Sequence, residues 1–226
     1  MICFIVVIYF LIYSKGHWRW IMMLLEWTGH ELVWFPGMLV MVAAAIPHSH
    51  PNQVADQKNP LHEQLPWFLA IFWGLAFEVA AVSLLKVICK RPRPPLNHMD
   101  MQTAFPGIDQ YSFPSGHTSR MAMLAFSLCS LYKPYLSSFP MSWPIVAITI
   151  YVAIVGLSRV MLGRHFPGDI VAGVCLGYVM SLVILHGLIP FFAMYQSPIS
   201  AFLFSLKSLA ILVVLEGPVS IISIFQ

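Results

Sequence analysis

Long apolar runs alternate with short polar or proline-rich breaks along this chain, and the runs predict helices near 2–14, 20–46, 66–89, 115–132, 143–161 and 168–189. Most approach the roughly 20 residues that an α-helix needs to cross the hydrocarbon core of a bilayer. The breaks fall at 47–66, 90–113, 133–143 and 163–168. A further apolar stretch over 199–215 is interrupted by Lys207 and stopped by Gly217-Pro218, so a seventh span and an interfacial helix both stay open there. No internal repeat is visible.

Composition turns these helices into membrane helices. Of the 226 residues, 59% are hydrophobic and 9% charged, whereas a soluble domain carries about 25% charged residues. The mean hydropathy of +0.79 points the same way. The expected class is an all-α polytopic membrane bundle of about six spans. It forms a single domain over 1–226, with a catalytic core at about 66–190 and an extra apolar tail at 198–226. The net charge of +3 is small, and its cations gather near one group of motifs, which reads as local anion binding and excludes a nucleic-acid surface. Cys3, Cys89, Cys129 and Cys175 lie in or beside apolar stretches without metal-type spacing and are expected to be reduced packing residues. Residues 1–13 lack the basic start and small-residue cleavage site of a signal peptide, so they are expected to remain as a first helix.

Three short segments carry the chemistry. They are Lys86 and Arg93-Pro94, then Pro114-Ser115-Gly116-His117, then Ser158-Arg159 with His165 and Asp169. If the six helices alternate across the bilayer, the ends of the third and fifth and the starts of the fourth and sixth share one side, and all three segments meet there. The same count puts Lys15, Arg19, Lys86, Lys90, Arg91, Arg93, Arg120, Arg159 and Arg164 on that side, against Lys58, Lys133 and Lys207 opposite. By the positive-inside rule the shared side is cytosolic.

Pro114-Ser115-Gly116-His117 opens an apolar run and therefore predicts a helix N-terminus, where free N–H groups and the positive end of the dipole bind anions. Ser115 can add a hydroxyl donor. Pro167 suits a first helical position, which leaves His165 just ahead of the helix and Asp169 in its first turn. Asp169 can then accept from one imidazole nitrogen and leave the other as a nucleophile, the orienting logic of a catalytic triad. Snorkelling to the interface is the ordinary reason for cations at helix ends. It does not require Lys86, Arg93 and Arg159 to stand beside two histidines and an anion-binding helix start, whereas phosphoryl transfer does. His117 is placed to protonate a leaving oxygen.

These segments resemble the signatures of the type 2 phosphatidic acid phosphatase superfamily, which also holds bacterial acid phosphatases and vanadium haloperoxidases. All three signatures are intact across residues 86–169. Lys90-Arg91-Pro92-Arg93-Pro94, Asn97-His98-Met99-Asp100-Met101, Tyr111-Ser112-Phe113 ahead of Pro114, and Leu157 through His165 are similar to the presqualene diphosphate phosphatase, or polyisoprenoid diphosphate phosphohydrolase, branch. The resemblance implies that His165 attacks phosphorus, Asp169 orients it, His117 protonates the leaving group, and Lys86, Arg93, Ser115, Gly116, His117 and Arg159 hold phosphate. It implies no metal and no cofactor, in agreement with the lack of clustered carboxylates for Mg²⁺. The implied partners are the bilayer and an isoprenoid diphosphate or other lipid phosphate; the oligomeric state, a homo-oligomer among the options, stays open. The expected location is the endoplasmic reticulum or nuclear envelope. Phosphatidate, an undecaprenyl-type carrier and a non-catalytic scaffold role are the alternatives; the composition argues against a haloperoxidase.

Other polar residues fit less directly. Lys90, Arg91 and Arg164 flank the motifs and are expected to contact the second phosphate of a diphosphate. Glu78 and Lys86, two turns apart, share a helix face, and Glu78 is expected to be a packing residue. Glu26 and His30 are expected to pair with each other as i and i+4 neighbours. His48, His50 and His62 read as a solvated loop.

Overall fold

The computed structural model describes residues 17–46, 61–95, 97, 106–132 and 142–216, and among them every regular element longer than an isolated bridge is helical. In chain order these are α1 (His17–Thr28), α2 (Glu31–Ala45), α3 (Leu65–Cys89), α4 (Pro106–Asp109), α5 (Gly116–Tyr132), α6 (Ser142–Met161) and α7 (Pro167–Val183). A π turn at Ile184–Leu188 leads from α7 into α8 (Ile189–Met194), and α9 (Gln196–Glu216) follows. The expected helix at 2–14 lies outside the described residues. Three described helices are long and apolar enough to cross a membrane: Leu65–Cys89, Trp143–Met161 and the continuous Pro167–Met194. A helix satisfies its own backbone, which is why an apolar chain of this kind folds as an all-α membrane bundle.

One run differs from expectation. Residues 20–46 form two helices, α1 and α2, because the chain breaks at Gly29 and His30. His30 is extended (φ −83°, ψ 139°), and its Nδ1 accepts from the Leu32 amide, which caps α2. A Cβ on Gly29 would lie 3.2 Å from the Cβ of His117, so the corner is pressed against α5.

The closest helix pair is α5 with α7. A Cβ at Gly173 would come within 2.7 Å of the Ser115 carbonyl oxygen, and one at Gly177 would collide with the Ser119 carbonyl and lie 2.8 Å from the Ala122 Cβ. Small residues four apart let two backbones approach where no hydrophobic effect drives helices together in lipid. The bundle is polarised along its axis. Leu65, Leu69, Leu75, Met123, Ile184 and Phe192 pack an apolar cluster, while Ser112, Ser115, Thr118, Ser119, Glu26, Lys86, Arg159, His165 and Asp169 are all buried where the ends of α3 and α6 meet the starts of α5 and α7.

Gly177→Ala is therefore expected to lower thermal stability in detergent by about 1–3 kcal/mol, the range for an overpacked contact. Gly37→Ala, where an added Cβ meets nothing within 4 Å, serves as the control. Equal melting temperatures for the two variants would contradict the close α5–α7 approach.

Candidate active site

The charged residues of the site sit at helix ends or in the short segments that follow them. Lys86 lies in the last turn of α3, and Lys90 ends that helix in a left-handed conformation at φ 45°. The segment beyond runs against residues 111–112: Pro92 bridges Tyr111, the Ser112 amide donates to the Arg91 carbonyl (2.9 Å), and Ser112 Oγ donates to the Pro92 carbonyl (3.1 Å). This brace carries Arg93 inward. Its Nε donates to the Asp109 carbonyl (2.7 Å), and its NH1 donates to the Arg164 carbonyl (3.3 Å).

The start of α5 is pinned to the start of α7, since the Ser115 amide donates to the Asp169 carbonyl at 3.1 Å. Ser115 Oγ lies 3.0 Å from Thr118 Oγ1, and both side chains are buried. A cavity of about 60 Å³ is lined by Val82, Lys86, Asp109, Gly116, His117, Arg159 and His165 among others, and Ser115 is not in that lining. In this structure the Ser115 hydroxyl pairs with the neighbouring Thr118. Gly116 and His117 do bring the helix start to the cavity.

The two histidines are held differently. The His165 ring bonds the Ser112 carbonyl through Nδ1 at 2.7 Å. A carbonyl only accepts, so Nδ1 carries the proton and Nε2 keeps the lone pair. Asp169 Oδ2 lies 3.7 Å from the same Nδ1 and accepts from the Phe166 amide at 2.9 Å, while Oδ1 takes Arg91 NH1 at 2.7 Å. Asp169 is thus the helix cap and the partner of Arg91, and the direct orienting bond to His165 comes from the Ser112 main chain. Burial lowers the His165 pKa below its ordinary 6.5, and Arg159, Arg93 and Lys86 lower it further against the opposing pull of Asp169. His117 stands edge-on to His30, ring centroids 5.4 Å apart, and its buried Nε2 has no hydrogen-bond partner.

Two of the three flanking cations are paired with carboxylates. Arg91 is spent on Asp169 and on the Phe166 ring, its guanidinium 4.3 Å from the centroid. Arg164 is buried with Glu26, Nε to Oε1 at 2.9 Å and NH2 to Oε2 at 3.0 Å. Both side chains are paired with carboxylates, as Lys86 and Arg93 are with Asp109; Lys90 remains exposed at the helix end. Glu26 also pairs with Arg159 and not with His30. Glu78 and Glu31 both pair with Arg120, each at 3.1 Å. Among the described residues, no three His, Cys, Asp or Glu side chains gather in a way that would hold a metal ion, and His48 and His50 lie outside the described residues.

The PAP2 superfamily profile matches residues 67–192, more than half of the chain. The chain belongs to the PAP2 superfamily. It is 35% identical over 170 residues to the probable lipid phosphate phosphatase beta of Arabidopsis thaliana, covering 66% of this chain and 78% of that protein. It is 28% identical over 100 residues to the undecaprenyl-diphosphatase BcrC of Bacillus subtilis, covering 44% of this chain and 47% of that one. The solved transmembrane PAP2 phosphatidylglycerolphosphate phosphatase of Bacillus subtilis has the same fold, with a TM-score of 0.57 at 19% identity over 77% of this chain and 78% of its own.

Within this PAP2 site the least expected residue is Asp109. Its Oδ1 takes Lys86 Nζ at 2.5 Å and Arg93 NH2 at 2.9 Å, so a carboxylate stands between two of the cations that the sequence assigns to phosphate. Burial raises its pKa, but Lys86 and Arg93 outweigh burial and hold the group below the usual carboxylate value. It is ionised at neutral pH and competes with any other anion for those cations. Sequence reasoning missed Asp109, Ser112 and the role of Glu26. Only Glu26 left a signal, a carboxylate inside an apolar run.

Asp109→Asn is expected to tighten binding of inorganic orthovanadate at pH 7 by about tenfold, roughly 1.4 kcal/mol, read from the dissociation constant in detergent. Weaker binding would mean that Asp109 holds Lys86 and Arg93 in place for the anion.

Proposed function

We propose that this PAP2 protein is a metal-independent lipid phosphohydrolase that works through a phosphohistidine on His165. The observation that carries the reading is a buried imidazole with its Nδ1 proton fixed on the Ser112 carbonyl, in a cavity with Lys86, Arg159 and the α5 N-terminus. The Nε2 lone pair attacks phosphorus as the bond from phosphorus to the leaving oxygen breaks. That oxygen takes the electron pair and a proton from His117, which must enter the step as imidazolium, having taken up a proton as the substrate's phosphate brings negative charge against it. Water then cleaves the P–N bond and frees inorganic phosphate. Lys86, Arg93, Arg159 and the Gly116 amide stabilise the negative oxygens of the five-coordinate transition state. Metal independence is supported by the donor set, since Asp109, Asp169, Glu26, Glu31 and Glu78 are each paired with a cation of the protein.

The substrate we propose is an isoprenoid diphosphate, supported by the similarity of residues 90–101 and 111–117 to the presqualene diphosphate phosphatase branch and by a relative named as an undecaprenyl-diphosphatase. A lipid monophosphate is the second reading. It is favoured by the ion pairs that occupy Arg91 and Arg164 and by the plant relative named as a lipid phosphate phosphatase. An endoplasmic-reticulum or nuclear-envelope membrane is supported by the same branch similarity. The cations gathered around the site favour its cytosolic orientation.

Phosphate release from farnesyl diphosphate, presqualene diphosphate and phosphatidate in EDTA, with and without vanadate, tests the reaction and ranks the substrates. Turnover in EDTA with inhibition by vanadate, which mimics the five-coordinate adduct, is the expected result; an absolute Mg²⁺ requirement would overturn it. Because the His165 pKa is lowered, its lone pair stays available as pH falls through the ordinary histidine range. With a substrate whose leaving group needs no proton, kcat/KM is expected to stay level from about pH 7.5 to 6. A decline following a single group near 6.5 would mean that the nucleophile titrates as an ordinary histidine.

A further inference from the structure

We propose that Glu26, on α1 and outside the matched segment 67–192, is a positioning residue for the phosphoryl-transfer site: it sets the fork of Arg159 and closes the turn that presents His165. The proposal rests on the phosphohydrolase reading of that site.

Glu26 is 1% exposed and bridges two guanidinium groups. Its Oε1 pairs with Arg159 NH1 and also lies 2.9 Å from Arg164 Nε, while Oε2 accepts from Arg164 NH2 at 3.0 Å. One carboxylate therefore holds both ends of the turn that links α6 to α7. The turn itself is tight. The Arg164 and His165 amides both donate to the Arg159 carbonyl, at 3.0 and 3.3 Å, and Gly163 supplies the left-handed residue at φ 70°. His165 follows directly. A displacement of Arg159 or Arg164 is thus passed through the main chain to the imidazole.

Charge makes the same demand. Arg159 and Arg164 lie side by side, both nearly inaccessible, with Arg93 donating to the Arg164 carbonyl. Buried cations of like sign repel strongly in a low-dielectric interior unless a carboxylate stands between them. Glu26 engages Arg159 through NH1 and leaves the buried Nε without a partner, on a side chain that lines the cavity. A guanidinium tethered by one arm presents its remaining donors in a fixed plane, the arrangement that recognises a phosphoryl oxygen pair. The neighbouring corner repeats the pattern, since the Gly29 carbonyl and Glu31 take Arg120 at 2.6 and 3.1 Å and His30 backs His117. The α1–α2 corner thus contacts Arg159, Arg120 and His117.

The test uses the full chain in detergent, with Glu26→Gln as the isosteric variant, Glu26→Asp as the rescue and Arg159→Lys as the reference. The readouts are kcat and KM per folded protein and the vanadate dissociation constant from thermal shift. Glu26→Gln is expected to lower kcat at least tenfold with KM changed less than threefold, and to weaken vanadate in proportion. Glu26→Asp is expected to recover part of both, and Glu26→Gln combined with Arg159→Lys is expected to lose little more than Arg159→Lys alone. Wild-type kcat and vanadate affinity in Glu26→Gln, or a loss confined to folded yield or melting temperature, would overturn the proposal and reduce Glu26 to a structural ion pair. If the wild-type chain released no phosphate from any lipid, the phosphohydrolase reading would fail. The vanadate comparison would still decide whether Glu26 positions the anion site.

Discussion

Everything at the polar end of this bundle depends on keeping several cations charged inside a largely apolar protein. Removing a guanidinium from water costs several kcal/mol, and only a well-placed carboxylate with hydrogen bonds offsets it. The solution is consistent across the site. Arg159 and Arg164 share Glu26, Arg120 lies against Glu31 and Glu78, Arg91 holds Asp169, and Lys86 and Arg93 share Asp109. Four of these carboxylates come from α1, α2, α3 and α4. Those helices are therefore part of the electrostatic framework of the site.

That framework leads to chemistry through two close approaches. The glycines at 173 and 177 bring α7 against α5, and the Ser115–Asp169 main-chain bond then registers the two helix starts on one another. The bridge between Pro92 and Tyr111 places the Ser112 carbonyl on the His165 ring. An imidazole held by a backbone carbonyl keeps one tautomer whatever the charge of its neighbours, a property that the nucleophile role proposed for His165 in this cation-rich cavity requires. Asp169, capped by Arg91, supports that arrangement through the start of α7.

The fold was legible wherever hydropathy alone decides it. The runs at 66–89, 143–161 and 168–189 correspond to α3, α6 and the continuous α7–α8, because a bilayer-spanning helix needs little beyond length and apolarity, and the run at 115–132 corresponds to the 17-residue α5, which is not among those three candidate spans. The break at Gly29 and His30 did leave a signal, the polar stretch Glu26-Trp27-Thr28-Gly29-His30-Glu31 inside the predicted 20–46 run, but what presses the corner into place, contact with His117 and Arg120, lies far along the chain and leaves none. The same distinction holds in the site. Lys86, Arg93, His117, Arg159, His165 and Asp169 declare themselves by spacing and residue type. Their partners do not: Glu26 is 133 residues from Arg159, and Ser112 contributes a main-chain oxygen that no side-chain pattern marks. The carboxylate partners of Arg91 and Arg164 were equally hidden, since Asp169 and Glu26 lie 78 and 138 residues away along the chain.

The most direct measurement of the central claim is the chemical identity of the enzyme-bound phosphate. The protein is quenched during turnover with a labelled lipid phosphate or diphosphate and then mapped by peptide mass. The account predicts a phosphoryl group on His165 that is lost in acid, survives in base and is missing from His165→Ala, which still folds and no longer turns over. An acid-stable label elsewhere, or undiminished turnover by His165→Ala, would contradict it.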